Sequence, residues 1–156
     1  MSPFTPEQEK VLQGWAARYP APLMGLGEAL RQVQEWHRCV TDEDEDYLAE
    51  FFGVPRSRIR EVATFFPSYT QKPTGRHRIG LCRGLSCSLA GSQSMCACLE
   101  KKLGIKDGET SADGRFSLET MECLGACDQG PALLVNDELK GAATEESISR
   151  LLEELK

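Results

Sequence analysis

The chain has 156 residues, of which 40% are apolar, enough for one ordinary domain or two small ones with a buried core. Its 24 acidic and 18 basic residues give a net charge of −6, so the broad positive field that drives nucleic-acid binding is missing. Its apolar runs are much shorter than the ~20 residues of a membrane-spanning helix, and its first residues lack an export signal. We therefore expect a folded cytoplasmic protein with no nucleic-acid partner and no direct membrane insertion.

Helical patterns fill the first half of the chain. Thr5 and Thr41 are predicted to cap the first and third helices, and Gly53 is predicted to end the third. A second helix fits residues 23–37, and a fourth follows Pro55, each with apolar residues at helical spacing. These patterns predict a four-helix bundle with short connections as an N-terminal domain, residues 1–74.

Five acidic residues in succession, from Asp42 to Asp46, open the predicted third helix. Oxygen-ligated cation sites require ligands spread around a loop, which this run does not provide. Carboxylates are favoured at the positive end of a helix dipole. We therefore expect all five to face solvent.

The second half of the chain, residues 75–156, alternates predicted strands and helices after a linker rich in proline and glycine. This order predicts an α/β arrangement in which helices pack on a small mixed sheet, so the whole chain is expected to be α+β. Asp113-Gly114 predicts a hairpin turn that leads into the second strand. The predicted strands are 77–81, 116–121 and 131–135, and the predicted helices are 88–103 and the segment from Thr144 onward.

Four of the seven cysteines form two close pairs. Cys82 and Cys87 are separated by four residues, 35 residues follow, and Cys123 and Cys127 are separated by three. Each pair lies in a short glycine-bearing segment after a strand-like run, which can turn two sulfurs toward one point. Because clustered cysteines in a protein that is not exported indicate metal or redox chemistry, we interpret the four as ligands of one metal centre.

The spacing of the pairs leaves three kinds of site open. A four-residue gap is found in [2Fe-2S] sites, in which each iron takes two thiolates, whereas structural zinc usually has tighter pairs. A thiol-disulfide pair is the third alternative, although the chain has no C-x-x-C motif. Cys96 and Cys98 lie about 200° apart on a predicted helix and cannot bind one metal together, so they are expected to be small buried or half-buried apolar residues.

Several neighbours of these cysteines suit an anionic centre. Gly84 and Gly125 would let the backbone approach the site, and Ser86 and Ser88 could donate hydrogen bonds. Arg83 is the fixed positive charge beside it. Hydrogen-bond donors and positive charges of this kind raise the reduction potential of an iron-sulfur site.

These residues and several further motifs resemble those of a known family. The motifs include GVPRSRIREVATFFPSY, KPTG before the first strand, C-x4-C followed by Ala-Gly, ECLGAC and PALLVND. In this order they resemble the thioredoxin-like [2Fe-2S] subunit of NADH-oxidising complexes. That family comprises the 24 kDa-type subunit of bacterial complex I, which is called the E subunit, and relatives in NAD-linked hydrogenases and formate dehydrogenases.

The resemblance implies a helical domain followed by a thioredoxin-like domain. It implies one [2Fe-2S] cluster held by Cys82, Cys87, Cys123 and Cys127, in a subunit that exchanges electrons with the FMN of a partner. That partner is the flavoprotein subunit that binds NADH, and further iron-sulfur subunits are expected beside it. The host complex would be an NADH:quinone oxidoreductase, in the cytoplasm at the inner face of the membrane.

No nicotinamide, flavin or phosphate-binding motif is recognisable in the sequence, so no independent catalytic site is expected on this chain. An NAD-linked hydrogenase or a formate dehydrogenase is the alternative host. Two further alternatives remain at this point: a structural zinc-binding interaction module and a free-standing homodimeric ferredoxin.

Overall fold

A computed structural model describes residues 2–155 of the chain. They form two compact units, an N-terminal unit that ends at Pro73 and a C-terminal unit that begins at Thr74. The N-terminal unit is helical, and the C-terminal unit combines helices with a mixed sheet. The fold is therefore α+β, as the sequence predicted. No helix between residues 2 and 155 is both long and apolar enough to cross a membrane.

The N-terminal unit contains four α-helices whose ends follow local sequence signals. Thr5 and Thr41 accept hydrogen bonds from the backbone three residues on, as predicted, and Gly53 ends the third helix at a φ of 65°. Apolar side chains from all four helices meet in one core. The helices are α1 (Pro6–Ala17), α2 (Leu26–His37), α3 (Asp42–Phe52) and α4 (Arg56–Phe65).

The predicted start of the second helix was three residues too early. Residues Pro22–Gly25 form a separate 3₁₀ turn, and α2 begins at Leu26. Pro22 suits the first position of such a turn because its fixed φ fits and its missing N–H would be unpaired there in any case.

The prediction that all five acidic residues of α3 face solvent was wrong. The side chains of Asp44 and Glu45 are fully buried. Asp44 accepts a hydrogen bond from the Thr41 N–H at 2.8 Å, which completes the helix cap. Arg56 Nε lies 3.0 Å from Glu45 Oε2, and Arg60 Nε lies 2.6 Å from Glu45 Oε1. Two arginines of α4 therefore compensate the buried carboxylate.

The C-terminal unit is built on a four-stranded mixed sheet. The central strand β1 pairs in parallel with β2 and antiparallel with β3, and β3 pairs antiparallel with β4. Alternate β1 residues such as Ile79 and Leu81 enter the core together with Leu118 and Leu133. The strands are β1 (His77–Cys82), β2 (Phe116–Met121), β3 (Leu133–Val135) and β4 (Glu138–Lys140).

Two details of this unit differ from the prediction. The single helix expected over 88–103 is divided into α5 (Leu85–Leu89) and α6 (Ser92–Leu103), because Gly91 adopts a φ of 99° that interrupts the helix. The hairpin expected at Asp113-Gly114 does turn there, with hydrogen bonds from the Ser111 N–H to the Phe116 carbonyl at 2.8 Å and from the Leu118 N–H to the Glu109 carbonyl at 3.0 Å, but its first arm forms an isolated bridge between Thr110 and Ser117 and not a strand. The final helix, α7 (Glu145–Glu154), begins near Thr144 as predicted, and Thr144 caps it.

Candidate metal centre

The two cysteine pairs arise at one edge of the sheet. Cys82 is the last residue of β1 and lies in register with Met121, the last residue of β2. Because β1 and β2 are parallel, the loops that follow them leave from the same edge. The Arg83 N–H donates to the Met121 carbonyl at 2.9 Å, which ties the two loops together just beyond the strands. Cys123 follows two residues later.

The structure brings the four predicted cysteines together. Cys82 and Cys87 pack in one buried cluster with Ala126 and Ala132, and Cys82 Sγ and Cys123 Cβ both lie 3.4 Å from the position that a Cβ on Gly84 would occupy. The Sγ atoms of Cys123 and Cys127 are 3.8 Å apart, and the charge of Cys127 also acts on Cys87. All seven cysteines lie in the described part of the chain and are free thiols.

The sulfur separation fits a tetrahedral metal ligated by two thiolates. With metal–sulfur bonds of about 2.3 Å, two tetrahedral ligands are separated by about 3.8 Å, which is the separation of Cys123 and Cys127. Within residues 2–155, no group of three or more His, Cys, Asp or Glu side chains is arranged to hold a metal ion. A two-iron cluster takes two thiolates on each iron. The separation of Cys123 Sγ and Cys127 Sγ would suit one iron of such a cluster.

Backbone hydrogen bonds reach the sulfurs of both pairs, as the glycines predicted. The Gly84 N–H lies 3.4 Å from Cys82 Sγ, and the Gly125 N–H lies 3.4 Å from Cys123 Sγ. Gly125 has a φ of 78°, a conformation that residues with a side chain rarely adopt. Glycine at this position thus allows the second loop to turn an N–H toward its own ligand.

The environment shifts the pKa values of the two buried thiols in opposite directions. Burial alone raises the pKa of Cys82, but N–H groups of Leu124 and Gly84 and the neighbouring thiols outweigh it and lower the pKa. Burial raises the pKa of Cys87, and the nearby Cys82 and Cys127 raise it further against one hydrogen bond from the backbone at Ala132. The Cys82 thiol therefore loses its proton more readily than an ordinary thiol, and the Cys87 thiol less readily.

Solvent reaches the two pairs unequally. Cys82 and Cys87 are each only 2% exposed, whereas Cys123 and Cys127 are exposed. The first pair is covered by the C-terminal unit, and the second pair faces outward. A group held by all four would be anchored in the protein on one side and accessible to a partner on the other.

The polar neighbours are arranged differently from the prediction. The Arg83 side chain forms an ion pair with Glu122, with 3.0 Å between Nε and Oε1. Ser88 donates its hydroxyl hydrogen to the Arg83 carbonyl at 3.1 Å and so supports the loop. Ser86 is exposed. The role of Glu122 was not predicted from the sequence, although Glu122 directly precedes Cys123 and is opposite in charge to Arg83, which follows Cys82.

The remaining cysteines have ordinary surroundings. Cys96 and Cys98 are half-buried on α6, and Cys96 packs against the core of the C-terminal unit. Burial raises the pKa of the Cys96 thiol and that of the buried Cys39. None of the three is among the contacts found around Cys82 or Cys123 in the described residues.

Comparison with known proteins supports a [2Fe-2S] cluster as the cofactor. The family model described as thioredoxin-like [2Fe-2S] ferredoxin matches residues 12–156. The E subunit of NADH-quinone oxidoreductase from Escherichia coli (strain K12) is 40% identical over 138 residues, which are 88% of this chain and 83% of that protein. The Pseudomonas aeruginosa protein of the same name is 38% identical over 135 residues, 86% of this chain and 81% of its own length.

A solved structure of NAD⁺-reducing [NiFe]-hydrogenase in the H2-reduced state is also similar. It superimposes with a TM-score of 0.74 and 27% identity over 84% of this chain, which spans only 22% of that hydrogenase chain. The family assignment confirms the predicted cofactor, a [2Fe-2S] cluster, and the thioredoxin-like class of the fold. The chain belongs to the thioredoxin-like [2Fe-2S] ferredoxin family.

Proposed function

We propose that this chain is an electron-transfer subunit of an NADH:quinone oxidoreductase. It holds one [2Fe-2S] cluster through Cys82, Cys87, Cys123 and Cys127 and exchanges electrons with the FMN of an NADH-binding partner subunit. The observation that carries this proposal is the convergence of the four thiols at one edge of the sheet. The names of the two bacterial relatives support the choice of host complex.

The residues of the chain have three tasks around this cofactor. When bound, a [2Fe-2S] cluster supplies a carrier for one electron. Gly84 and Gly125 direct backbone N–H groups at ligand sulfurs, which stabilises negative charge there. The burial of Cys82 and Cys87 limits access of water, and the exposure of Cys123 and Cys127 leaves a side open to the partner.

Substrate chemistry belongs to other subunits in this proposal. The flavoprotein partner would bind NADH and FMN, and further iron-sulfur subunits would continue the electron path. The complex would lie in the cytoplasm, at the inner face of the membrane. The chain itself would contribute the position and the potential of one electron carrier.

The ligand assignment is tested by replacing each cysteine in the full chain. Cys82→Ser, Cys87→Ser, Cys123→Ser and Cys127→Ser should each lose or alter the visible absorption and the electron paramagnetic resonance signal of the reduced cluster. Cys96→Ala and Cys98→Ala are matched controls because they remove a thiol of the same unit from outside the site. Equal losses in the controls would overturn the assignment.

The electron-transfer role is tested with the partner present. NADH should bleach the visible absorption of the chain only when a flavoprotein subunit purified from the same cells is added. Wild-type chain without the flavoprotein is the control and should stay oxidised, because no nicotinamide site is proposed on it. A chain that is bleached by NADH alone would contradict the division of tasks.

A second candidate host is an NAD-reducing hydrogenase, which the structural similarity at 27% identity favours. The chain would have the same cofactor and ligands there, but the electrons would come from or go to hydrogen chemistry. Purification of the native complex separates the two hosts. Quinone-reducing activity without hydrogen uptake supports the first proposal, and hydrogen-dependent NAD⁺ reduction supports the second.

A further inference from the structure

An exposed ion pair joins the two loops that carry the cysteines. Arg83 directly follows Cys82, and Glu122 directly precedes Cys123. Arg83 Nε lies 3.0 Å from Glu122 Oε1, and the NH2 group of the same guanidinium contacts the same oxygen. The pair therefore places one positive and one negative charge beside the first cysteine of each pair.

Other charged groups around this pair are few. The negative charge of Asp107 also acts on Arg83, and its carboxylate is fixed by hydrogen bonds from the N–H and hydroxyl of Thr120 at 2.6 and 2.7 Å. The neighbouring Lys106 is paired with Glu100 at 2.8 Å. Glu122 is thus the group that contacts the Arg83 charge directly, and Asp107 adds to it from the loop that is hydrogen-bonded to β2.

Charge beside the site affects how readily it accepts an electron. Reduction adds one negative charge to a centre that four thiolates already make anionic, so a nearby cation favours the reduced form and a nearby anion disfavours it. A paired cation and anion largely cancel. The side chains of Arg83 and Glu122 are 61% and 77% exposed, so salt screens whatever effect remains.

We propose that Glu122 is a positioning residue that holds and neutralises the Arg83 guanidinium beside the four cysteines. The ion pair keeps the reduction potential of the site below the value that an unpaired Arg83 would give. This inference rests on the proposed function, because it requires the cluster at these four residues.

The test is a redox titration of the full chain, purified with its cluster and followed by visible absorption. Glu122→Gln leaves Arg83 uncompensated and should shift the midpoint potential to a more positive value. Arg83→Gln leaves Glu122 uncompensated and should shift it to a more negative value. The double variant should return close to the wild-type potential, and all shifts should shrink in 1 M salt, where the screening length is about 3 Å.

A second ion pair, between the two strands that lead into these loops, provides the matched control. Arg78 and Glu119 join β1 to β2 as Arg83 and Glu122 join the loops beyond them, but each lies four residues before a cysteine ligand. At about 3.3 Å per strand residue, this is roughly 13 Å from the site along the strand. Glu119→Gln should therefore shift the potential much less than Glu122→Gln does. Arg83→Lys, which keeps the charge, should remain close to wild type.

A purely mechanical role of the pair predicts a different result. If the pair only fastens the loops, Glu122→Gln and Arg83→Gln loosen the same contact and shift the potential in the same direction. Shifts of the same sign overturn the inference, as do a Glu122→Gln shift no larger than that of Glu119→Gln and an Arg83→Lys shift as large as that of Arg83→Gln. A wild-type chain without iron and sulfide would instead contradict the proposed function.

Discussion

The substitution Gly125→Ala tests how the loop between Cys123 and Cys127 holds its conformation. Gly125 has a φ of 78°, and its N–H lies 3.4 Å from Cys123 Sγ. A Cβ placed on Gly125 meets no atom within 4 Å, so alanine introduces no clash. The cost therefore comes from the backbone alone, because a Cβ in this left-handed region approaches its own carbonyl.

The expected magnitude follows from that backbone cost. An alanine forced into the left-handed conformation loses about 1–2 kcal/mol. If the loop instead relaxes to a negative φ, its N–H turns away from Cys123 Sγ and the ligand loses a hydrogen bond. A free-energy cost of one or two kcal/mol changes the open fraction of the loop by a factor of about 5–30. Iron loss through the open loop should accelerate by the same factor.

The assay is the rate at which a strong iron chelator bleaches the visible absorption of the purified chain. Gly125→Asn should lose iron more slowly than Gly125→Ala, because asparagine tolerates the left-handed conformation better. Gly104→Ala is the matched control. Gly104 also has a left-handed φ, 68°, and an added Cβ meets no atom within 4 Å, but it lies at the end of α6 that is farther from Cys87 in the chain.

The control should bleach within about twofold of the wild-type rate, because its similar backbone cost falls outside the loop between Cys123 and Cys127. Two results would refute this account of the loop. One is a Gly125→Ala rate equal to wild type, and the other is a Gly104→Ala rate as high as that of Gly125→Ala.

Three further predictions concern stability. Leu48→Ala, at a fully buried position of the N-terminal core, should lower the free energy of unfolding of that unit by about 2–5 kcal/mol in a urea titration. The visible absorption should stay unchanged, and loss of colour would contradict this prediction. Glu45→Gln should lower the free energy of unfolding by about 1–3 kcal/mol in the same titration, because it weakens the hydrogen bonds from Arg56 and Arg60. Asp46→Asn, at an exposed position, should lower it by less than about 1 kcal/mol, and the reverse order would refute the role of Glu45. Thr144→Ala removes the cap of α7 and should destabilise the C-terminal unit by about 0.5–2 kcal/mol. Thr144→Ser should be nearly neutral, and equal losses of stability in the two variants would contradict the capping role.

The candidate site residues could be predicted from the sequence because their signals are local. Cys82 and Cys123 each follow a strand-like run, and each shares its loop with a second cysteine and a glycine. Parallel strands that end together then bring both loops to one edge, and this required only that β1 and β2 be neighbours. The spacing and glycine content of the loops thus carried most of the information about the ligands.

The ion pairs could not be predicted from the sequence in the same way. Glu122 meets Arg83 across 39 residues of sequence, and the contact depends on the register between β1 and β2. Glu45 is buried because arginines 11 and 15 residues later reach it from α4. Its position in a run of five acids suggests a solvated face, and only the packing of two helices reverses that expectation.

The break between α5 and α6 has a local signal in the sequence. Gly91 lies within a stretch that otherwise has helical character, and a glycine in such a stretch costs about 1 kcal/mol relative to alanine. Its left-handed φ separates α5, which ends two residues after Cys87, from α6. The interruption allows Cys87 to remain in a short helix beside Cys82.

The central claim is that four cysteines of this chain hold a [2Fe-2S] cluster that carries an electron. It is tested most directly by the iron and acid-labile sulfide content of the purified chain, together with its visible spectrum before and after dithionite. The account predicts about two iron and two sulfide atoms per chain and a visible absorption that dithionite bleaches. A colourless chain with stoichiometric zinc and no sulfide would contradict it.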